Sequence, residues 1–286
     1  MEDHFWWYKG LHRLVLERIA DALPEEPRDI LDAGCGTGGM LRKLAERYPA
    51  ARIRGFDFSP HAVTFAAERT VSWAARNAAH ASMQASPTSA TSPLRTPDIA
   101  RASVSEVPFP EASFDLVVSL DVLYHAGVED DVAAMDELRR VLHPGGTLLL
   151  NLPAFESLRS SHDRAIHTAR RYSRRELSER LLRAGLEPFR VHYWNGFLFP
   201  ALAAVRWLRR RDAREDAPVA PSDVRPLPAQ VNRTLETALA IERGWLRTAP
   251  LPFGLSVLAL ARRPRRDIGR SGRTPAPHPG AESGRT

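Results

Sequence analysis

Several things are scarce in this sequence. Cysteine occurs once, at Cys35, so no disulfide can close within the chain, which fits a reducing, cytoplasmic setting. Lysine occurs only at Lys9 and Lys43, although lysine and arginine together number 40. No stretch approaches the ~20 apolar residues that a membrane-spanning helix needs. The best candidate, Phe197 to Val205, is interrupted by Pro200 and followed by Arg206. The first ten residues, MEDHFWWYKG, mix acids and aromatics and lack the basic-then-apolar order of a secretory leader.

What is present describes a globular protein. The 286 residues are 43% hydrophobic and 26% charged, enough apolar material for a sizeable core. The net charge of +6 is unevenly placed. From Arg262 to Thr286 there are seven arginines and two acids, leaving the first 261 residues at +1. A nucleic-acid groove would put the excess on the folded body, so nucleic acid is not an expected partner.

Apolar residues at Leu11, Leu14, Val15, Ile19 and Leu23 have helical spacing, stopped by Pro24. Ile30-Leu31 and Arg52 to Phe56 read as strands, with a helix from Met40 to Tyr48 between them. Ser59-Pro60 is a helix start, a capping residue before a first-turn proline. From about residue 76 to 99 the chain turns to Ala, Ser, Thr and Pro, which predicts a flexible insertion. Structure is expected again at Ala100 to Val104, and FDLVVSL (Phe114 to Leu120) is a nearly continuous apolar run, as in a strand buried on both faces. A helix with acids at Glu129 to Asp131 and arginines at Arg139-Arg140 suits the helix dipole; Pro144-Gly145-Gly146 should end it before a strand from Thr147 to Leu152. Ser173 to Glu176 has capping-box spacing, opening a helix to Ala184. Glu187 to Trp194 and Leu255 to Ala261 read as late strands, and Val231 to Trp245 as a helix. Strands alternating with helices predict an α/β, doubly wound sheet, with ligands at the carboxyl ends of its strands.

The glycine-rich stretch Asp32-Ala33-Gly34-Cys35-Gly36-Thr37-Gly38-Gly39 is the strongest chemical signal. Glycines let the backbone turn sharply and approach a ligand, and the helix that follows points free N–H groups toward it. Asp57 closes the next strand, where a carboxylate can accept both hydroxyls of a ribose. Gly34, Gly36 and Gly39 satisfy the dinucleotide pattern GxGxxG, whereas Asp32 with Gly34, Gly36 and Gly38 satisfies that of S-adenosylmethionine binders.

The series ILDAGCGTG, GFDFSP, VPFPEASFDLVVSLDVLYH and ELRRVLHPGGTLLLNLP resembles the class I S-adenosylmethionine-dependent methyltransferases of the type-11/type-12 group, over about Phe5 to Leu186. The resemblance implies a Rossmann-like seven-stranded sheet with its last strand antiparallel and helical additions. Together with the sequence pattern it suggests a division of the chain: an aromatic and helical lid over 1–24, a cofactor-binding core over 25–195 carrying the flexible insertion at about 76–99, an acceptor-side or membrane-proximal insertion over 196–250, a last core strand over 251–261, and, from its composition, a disordered basic tail over 262–286. By the same resemblance, Asp32, Gly34, Cys35, Gly36 and Gly38 would form the loop around the cofactor. Asp57 would hold the ribose, with Phe58 against adenine. Ser103 and Val104 would flank adenine; many relatives carry an acid where this chain has Ser103, which shifts that contact to backbone. Leu120, Asp121 and Val122 would line the sulfonium end. Cys35 has no basic partner nearby in sequence and reads as a small loop residue rather than a nucleophile.

The candidate proton-transfer residues are His125, just past the fourth strand, and Asp163 with His167, four apart and on one face of a helix should one form there. The bland reading of His125 is a histidine bonded to backbone. No complete metal-ligand set is present. His162, Arg171 and Tyr172 are candidates for binding an acidic or phosphate-bearing acceptor, the alternative being a solvated charge run before a helix. Trp7 and Tyr8, in the aromatic cluster expected ahead of the first helix, are placed near the acceptor pocket. The expected reaction is methyl transfer to a small-molecule or lipid-linked acceptor, with peripheral membrane contact open and chain association undetermined. The alternatives are a nicotinamide-dependent oxidoreductase, which the lack of a Tyr-x-x-x-Lys pair disfavours, and a non-catalytic binder of the same cofactor.

Overall fold

A computed structural model describes residues 4–84, 95–159, 168–200 and 227–265. Seven strands form one sheet in the order β3-β2-β1-β4-β5-β7-β6. They are β1 (Asp29–Ala33), β2 (Arg52–Asp57), β3 (Asp98–Arg101), β4 (Phe114–Leu120), β5 (Leu142–Pro153), β6 (Glu187–Trp194) and β7 (Ser256–Arg262). All neighbours pair in parallel except β7, which runs antiparallel to both β5 and β6. The chain winds outward from β1 to β3, then returns to lay β4 on the other side of β1. That reversal opens a crevice at the carboxyl ends of β1 and β4, the place where such sheets bind ligands.

Both faces are covered. On one lie α1 (Trp6–Ala22), α2 (Gly39–Arg47), α3 (Pro60–Gln84) and α6 (Ala229–Trp245), contributing Leu14, Val15, Ile19, Leu41, Leu44, Trp73 and Leu239 to a cluster with Ile30, Val118 and Leu149. On the other lie α4 (Asp131–Val141) and α5 (Arg174–Arg183), burying Met135, Leu138, Leu177 and Leu181 against Val117, Leu148 and Val257. Burial on two faces explains why β4 reads as a nearly continuous apolar run, interrupted only by Asp115 and Ser119. The capping signals operate as expected. Asp130 accepts from the N–H groups of Val132 and Ala133 (2.9 and 3.1 Å). Ser173 and Glu176 form a reciprocal capping box, and Ser59 Oγ accepts from Ala62 N–H at 3.3 Å.

Some sequence expectations are corrected. Trp6, Trp7 and Tyr8 do not precede the first helix; they form its first turn. Leu11, Leu14, Val15 and Ile19 of that helix are sealed in the core, so it is an integral layer of the fold. α3 continues to Gln84, past the break expected at residue 76; the alanine-rich sequence there favours helix. β3 begins at Asp98 rather than Ala100. α4 ends at Val141, ahead of Pro144. The basic tail does not begin at 262: Arg262 is paired in β7, and Arg263 is 3% exposed and donates to the carbonyls of Arg140 and Leu142 (3.0 and 2.8 Å). The rest of the expected tail, the heart of the 76–99 insertion and residues 201–226 lie outside the described residues. Among the described residues, no helix is long and apolar enough to cross a membrane.

Candidate cofactor and methyl-transfer site

The glycine loop leaves β1 and returns into α2 at the mouth of the crevice. Gly34 and Gly36 both have positive φ, 81° and 52°, a region that costs other residues energy. Their surroundings differ. A Cβ on Gly34 would stand 2.2 Å from a methyl of Val122, whereas a Cβ on Gly36 would meet nothing within 4 Å. Gly34 thus lets β1 pack against the end of β4, while Gly36 borders open space. Gly38 is the N-cap of α2. Cys35 is buried, its thiol 3.9 Å from the Gly36 carbonyl.

Asp57, at the end of β2, turns toward this loop. One carboxylate oxygen accepts from Gly36 N–H at 2.8 Å and the other from Ser59 N–H at 2.9 Å. A carboxylate oxygen can accept more than one bond, so the two bonds fix the carboxylate and leave acceptor capacity on both oxygens. Phe58 follows with its ring 72% exposed, and the Arg101 guanidinium lies 6.0 Å from the ring centroid. An exposed aromatic face beside a fixed carboxylate suits a purine next to its ribose. Ser103 Oγ accepts from Ser105 N–H at 3.1 Å and shapes the turn beyond β3. Val104 buries its side chain in the core. Asp32 is buried at the end of β1, and Leu120 is half-buried. The open Gly36 cradle and the aimed Asp57 carboxylate fit the nucleoside part of S-adenosylmethionine.

Three non-glycine residues with positive φ stand just past the carboxyl ends of successive parallel strands: Asp121 after β4, Phe155 after β5 and Asn195 after β6. Strained backbone of this kind gathers at functional sites. Asp121 accepts a hydrogen bond from Asn151 Nδ2 at 3.0 Å, and Asn151 Oδ1 accepts from Trp194 Nε1 at 2.7 Å. An indole N–H can only donate, so it fixes which end of the amide faces Asp121. Trp194 in turn stacks on Trp7, with centroids 4.6 Å apart. Asp121 keeps some solvent contact, but its carboxyl is ringed by protein atoms. That desolvation pushes its pKa up to about 7, against the lowering effect of the Asn151 bond. Neither Asn151 nor Trp194 was legible as a site residue. Their partners lie 30 and 43 residues away in sequence.

The other expected residues fare unevenly. Trp7 reaches the ligand edge through Trp194, and Tyr8 sits among Phe5 and His12. His125 lies exposed on the loop after β4, with Nδ1 accepting from Gly127 N–H at 3.2 Å. Arg171 and Tyr172 are corrected. Arg171 is buried and donates to the Ala154 carbonyl at 2.9 Å. Tyr172 is 1% exposed and donates to Asp131 Oδ2 at 2.8 Å, and burial and the neighbouring carboxylate raise its pKa. Tyr172 therefore ties the loop after β5 to α4 instead of facing an acceptor. His162, Asp163 and His167 lie outside the described residues. Among the described residues no cluster of metal-ligating side chains occurs.

Residues 31–150 match a family described as "Methyltransferase domain". The chain is 31% identical over 189 residues to a probable S-adenosylmethionine-dependent methyltransferase of Mycolicibacterium smegmatis, covering 65% of this chain and 61% of that protein. It is 29% identical over 201 residues to a malonyl-[acyl-carrier protein] O-methyltransferase of Geobacter sulfurreducens, covering 64% of this chain and 66% of that one. The chain thus spans somewhat under two thirds of the length of these curated relatives. Among solved structures, geranyl diphosphate C-methyltransferase from Streptomyces coelicolor shares the fold, with a TM-score of 0.56, 16% identity, and coverage of 88% of this chain and 79% of that one. These likenesses lend no support to the nicotinamide-dependent alternative. With the glycine loop, the Asp57 carboxylate and the antiparallel seventh strand in place, residues 31–150 are a methyltransferase domain within a sheet that has the class I methyltransferase fold.

Proposed function

We propose that this protein transfers the methyl group of S-adenosylmethionine to a small-molecule or lipid-linked acceptor. The observation that carries the proposal is the Asp57 carboxylate, fixed by Gly36 and Ser59 N–H groups yet still able to accept two ribose hydroxyls. The sulfonium supplies an already electrophilic methyl group. The protein's share is to hold the nucleoside, align the acceptor and exclude water. Asp57 and Phe58 hold the nucleoside end, and the tight Gly34–Val122 contact keeps the ends of β1 and β4 in register beneath the reacting atoms.

The acceptor side is aromatic. Phe155 stacks on Tyr193 with centroids 4.7 Å apart, Phe199 lies 6.2 Å from Phe155, and Phe253 lies 5.0 Å from Phe199. These rings come from the ends of β5 and β6 and the approach to β7, at the ligand edge. They favour an acceptor with an apolar or planar body. Phe197, Ile241 and Trp245 are exposed nearby, which supports the finer reading of an acceptor held at a lipid surface. The Geobacter relative is named for a malonyl acceptor on a carrier protein, so a carrier-linked acceptor belongs to the same proposal. Where an acceptor must lose a proton, His125, or Asp163 with His167, is proposed to take it. For His125 this requires turning the ring, because its lone-pair nitrogen is occupied by the Gly127 N–H.

Incubation with methyl-labelled S-adenosylmethionine and separate aqueous and lipid extracts tests the proposal. The expected result is label in a small or lipid-extractable product. Tight cofactor binding with no label transferred in any fraction would make the chain a non-catalytic binder.

A further inference from the structure

The expectation that Asp121 lines the sulfonium end does not by itself explain how its carboxyl is held. Its carboxyl is ringed by protein and receives one side-chain hydrogen bond, from the neutral Asn151 amide. Among the described residues, no ion pair involves it and no cation contributes to its electrostatics. Its backbone sits at φ 58°, a conformation asparagine and aspartate tolerate better than most residues but still at a cost. Its own N–H donates to the Asn151 carbonyl at 2.9 Å, so backbone and side chain are both fastened to β5. Asn151 is held in turn by Trp194, and Trp194 is stacked on Trp7. A shielded carboxyl with no counter-ion among the described residues is costly, and holding it there against strain makes sense if a cation arrives from outside.

The position says which cation. Asp121 follows the last residue of β4 directly, and Val122 beside it packs on Gly34 of the cofactor loop. On the reading above, the nucleoside end would be held on the other side of that loop, by Asp57, whose carboxylate Gly36 N–H fixes. A cofactor lying along the mouth from Asp57 therefore directs its sulfonium toward the β4 end.

Resting on the methyltransferase reading above, we infer that Asp121 is a charge selector, distinguishing the cationic sulfonium cofactor from its neutral demethylated product. The two ligands differ in one positive charge and one methyl group, and both carry the same nucleoside and amino-acid groups. Attraction to the sulfonium ends when the methyl leaves, so Asp121 favours entry of fresh cofactor and release of product. Asn151 is the positioning residue: it presents a donor to Asp121, favouring the charged form, and Trp194 keeps it from flipping. Because the Asp121 carboxyl titrates near neutrality, the preference should depend on pH, growing as the carboxyl ionises. The other titratable groups at this mouth are Asp32 at the end of β1, Asp57 at the end of β2 and His125 on the loop after β4.

The test is calorimetric binding of S-adenosylmethionine and S-adenosylhomocysteine to the full chain between pH 6 and pH 8.5, for wild type, D121N and N151A. The quantity read is the ratio of the product's Kd to the cofactor's Kd. For wild type the ratio should rise with pH by about tenfold, the size expected for one partly screened charge pair. In D121N, which keeps an acceptor for the Asn151 amide, the ratio should be flat and near its low-pH value, which also separates Asp121 from His125. N151A should shift the rise to higher pH. A wild-type ratio that does not move with pH, or a rise that survives D121N, overturns the inference and leaves the methyltransferase reading standing. Equal strengthening of both ligands with pH would mean that Asp121 pairs with their shared ammonium group, and that also overturns it. Failure of wild type to bind either ligand would instead defeat the methyltransferase reading itself.

Discussion

Trp7 lies against Trp194 with 4.6 Å between ring centroids and 22° between ring planes. This contact joins the first turn of α1 to the end of β6, whose indole N–H holds Asn151. α1 is also tied to α6: Lys9 pairs with Glu236 at 2.8 Å, and Trp6 N–H donates to Asn232 at 2.9 Å. Glu242 on α6 is buried and accepts from the N–H groups of Asn195 and Phe197, the latter at 2.8 Å. Two helices distant in sequence thus brace the same edge of the sheet.

Replacing the stacked ring should loosen that brace. W7A is expected to lose about 1–2 kcal/mol of stability, part of it the ~0.5–1.5 kcal/mol that an aromatic pair adds beyond its buried area, and to bind S-adenosylmethionine severalfold more weakly. W7F should recover most of both. Urea denaturation and calorimetry measure the two effects. Unchanged binding in a folded W7A would show that the brace does not reach the site.

The two loop glycines should fail differently. In G34A the new methyl group meets Val122 at 2.2 Å in a left-handed conformation, so a stability loss above 3 kcal/mol or so and little folded protein are expected. In G36A the space is open and only the backbone penalty applies, about 1–2 kcal/mol. That variant should fold, with its methyl group at the loop's open side weakening cofactor binding by tenfold or more. Thermal melts with and without S-adenosylhomocysteine separate the two. A G36A that binds as wild type would remove Gly36 from the cofactor loop.

Asp121 also predicts a pH-dependent stability. Its folded-state pKa, about 7, lies above the ordinary carboxyl range. Its stabilising contribution is therefore complete below the unfolded pKa and lost as pH rises through 7. Ligand-free D121N should match wild type near pH 4 apart from any relief of backbone strain, and exceed it by about 2 kcal/mol at pH 8. Denaturant titrations across that range decide it. A D121N advantage that shrinks with rising pH would contradict the assignment.

Local signals carried much of the fold. Glycine spacing, capping residues and apolar runs located the glycine loop, α4, α5 and most strands to within a few residues, because each depends on neighbours in sequence; β5 begins at Leu142, well ahead of the expected Thr147. What escaped depends on distant partners. Tyr172 looked like part of an exposed Arg-Arg-Tyr run, yet its hydroxyl is buried against Asp131, 41 residues away. Trp6 and Trp7 looked like a cluster ahead of a helix, because no capping side chain marks where α1 begins. In α3 the Ala74-Ala75 and Ala79 stretch resembled low complexity, although alanine is the strongest helix former. Asp121 was expected near the sulfonium through the family resemblance, but its link through Asn151 and Trp194 to Trp7 appears only when β4, β5, β6 and α1 are brought together.

The most direct measurement is the affinity of wild type and D57A for S-adenosylmethionine and S-adenosylhomocysteine by calorimetry. Wild type should bind both in the micromolar range. D57A should remain folded and lose at least tenfold for each, since both ligands carry the ribose that Asp57 would hold. Absence of wild-type binding at millimolar ligand, or D57A binding indistinguishable from wild type, would contradict the account.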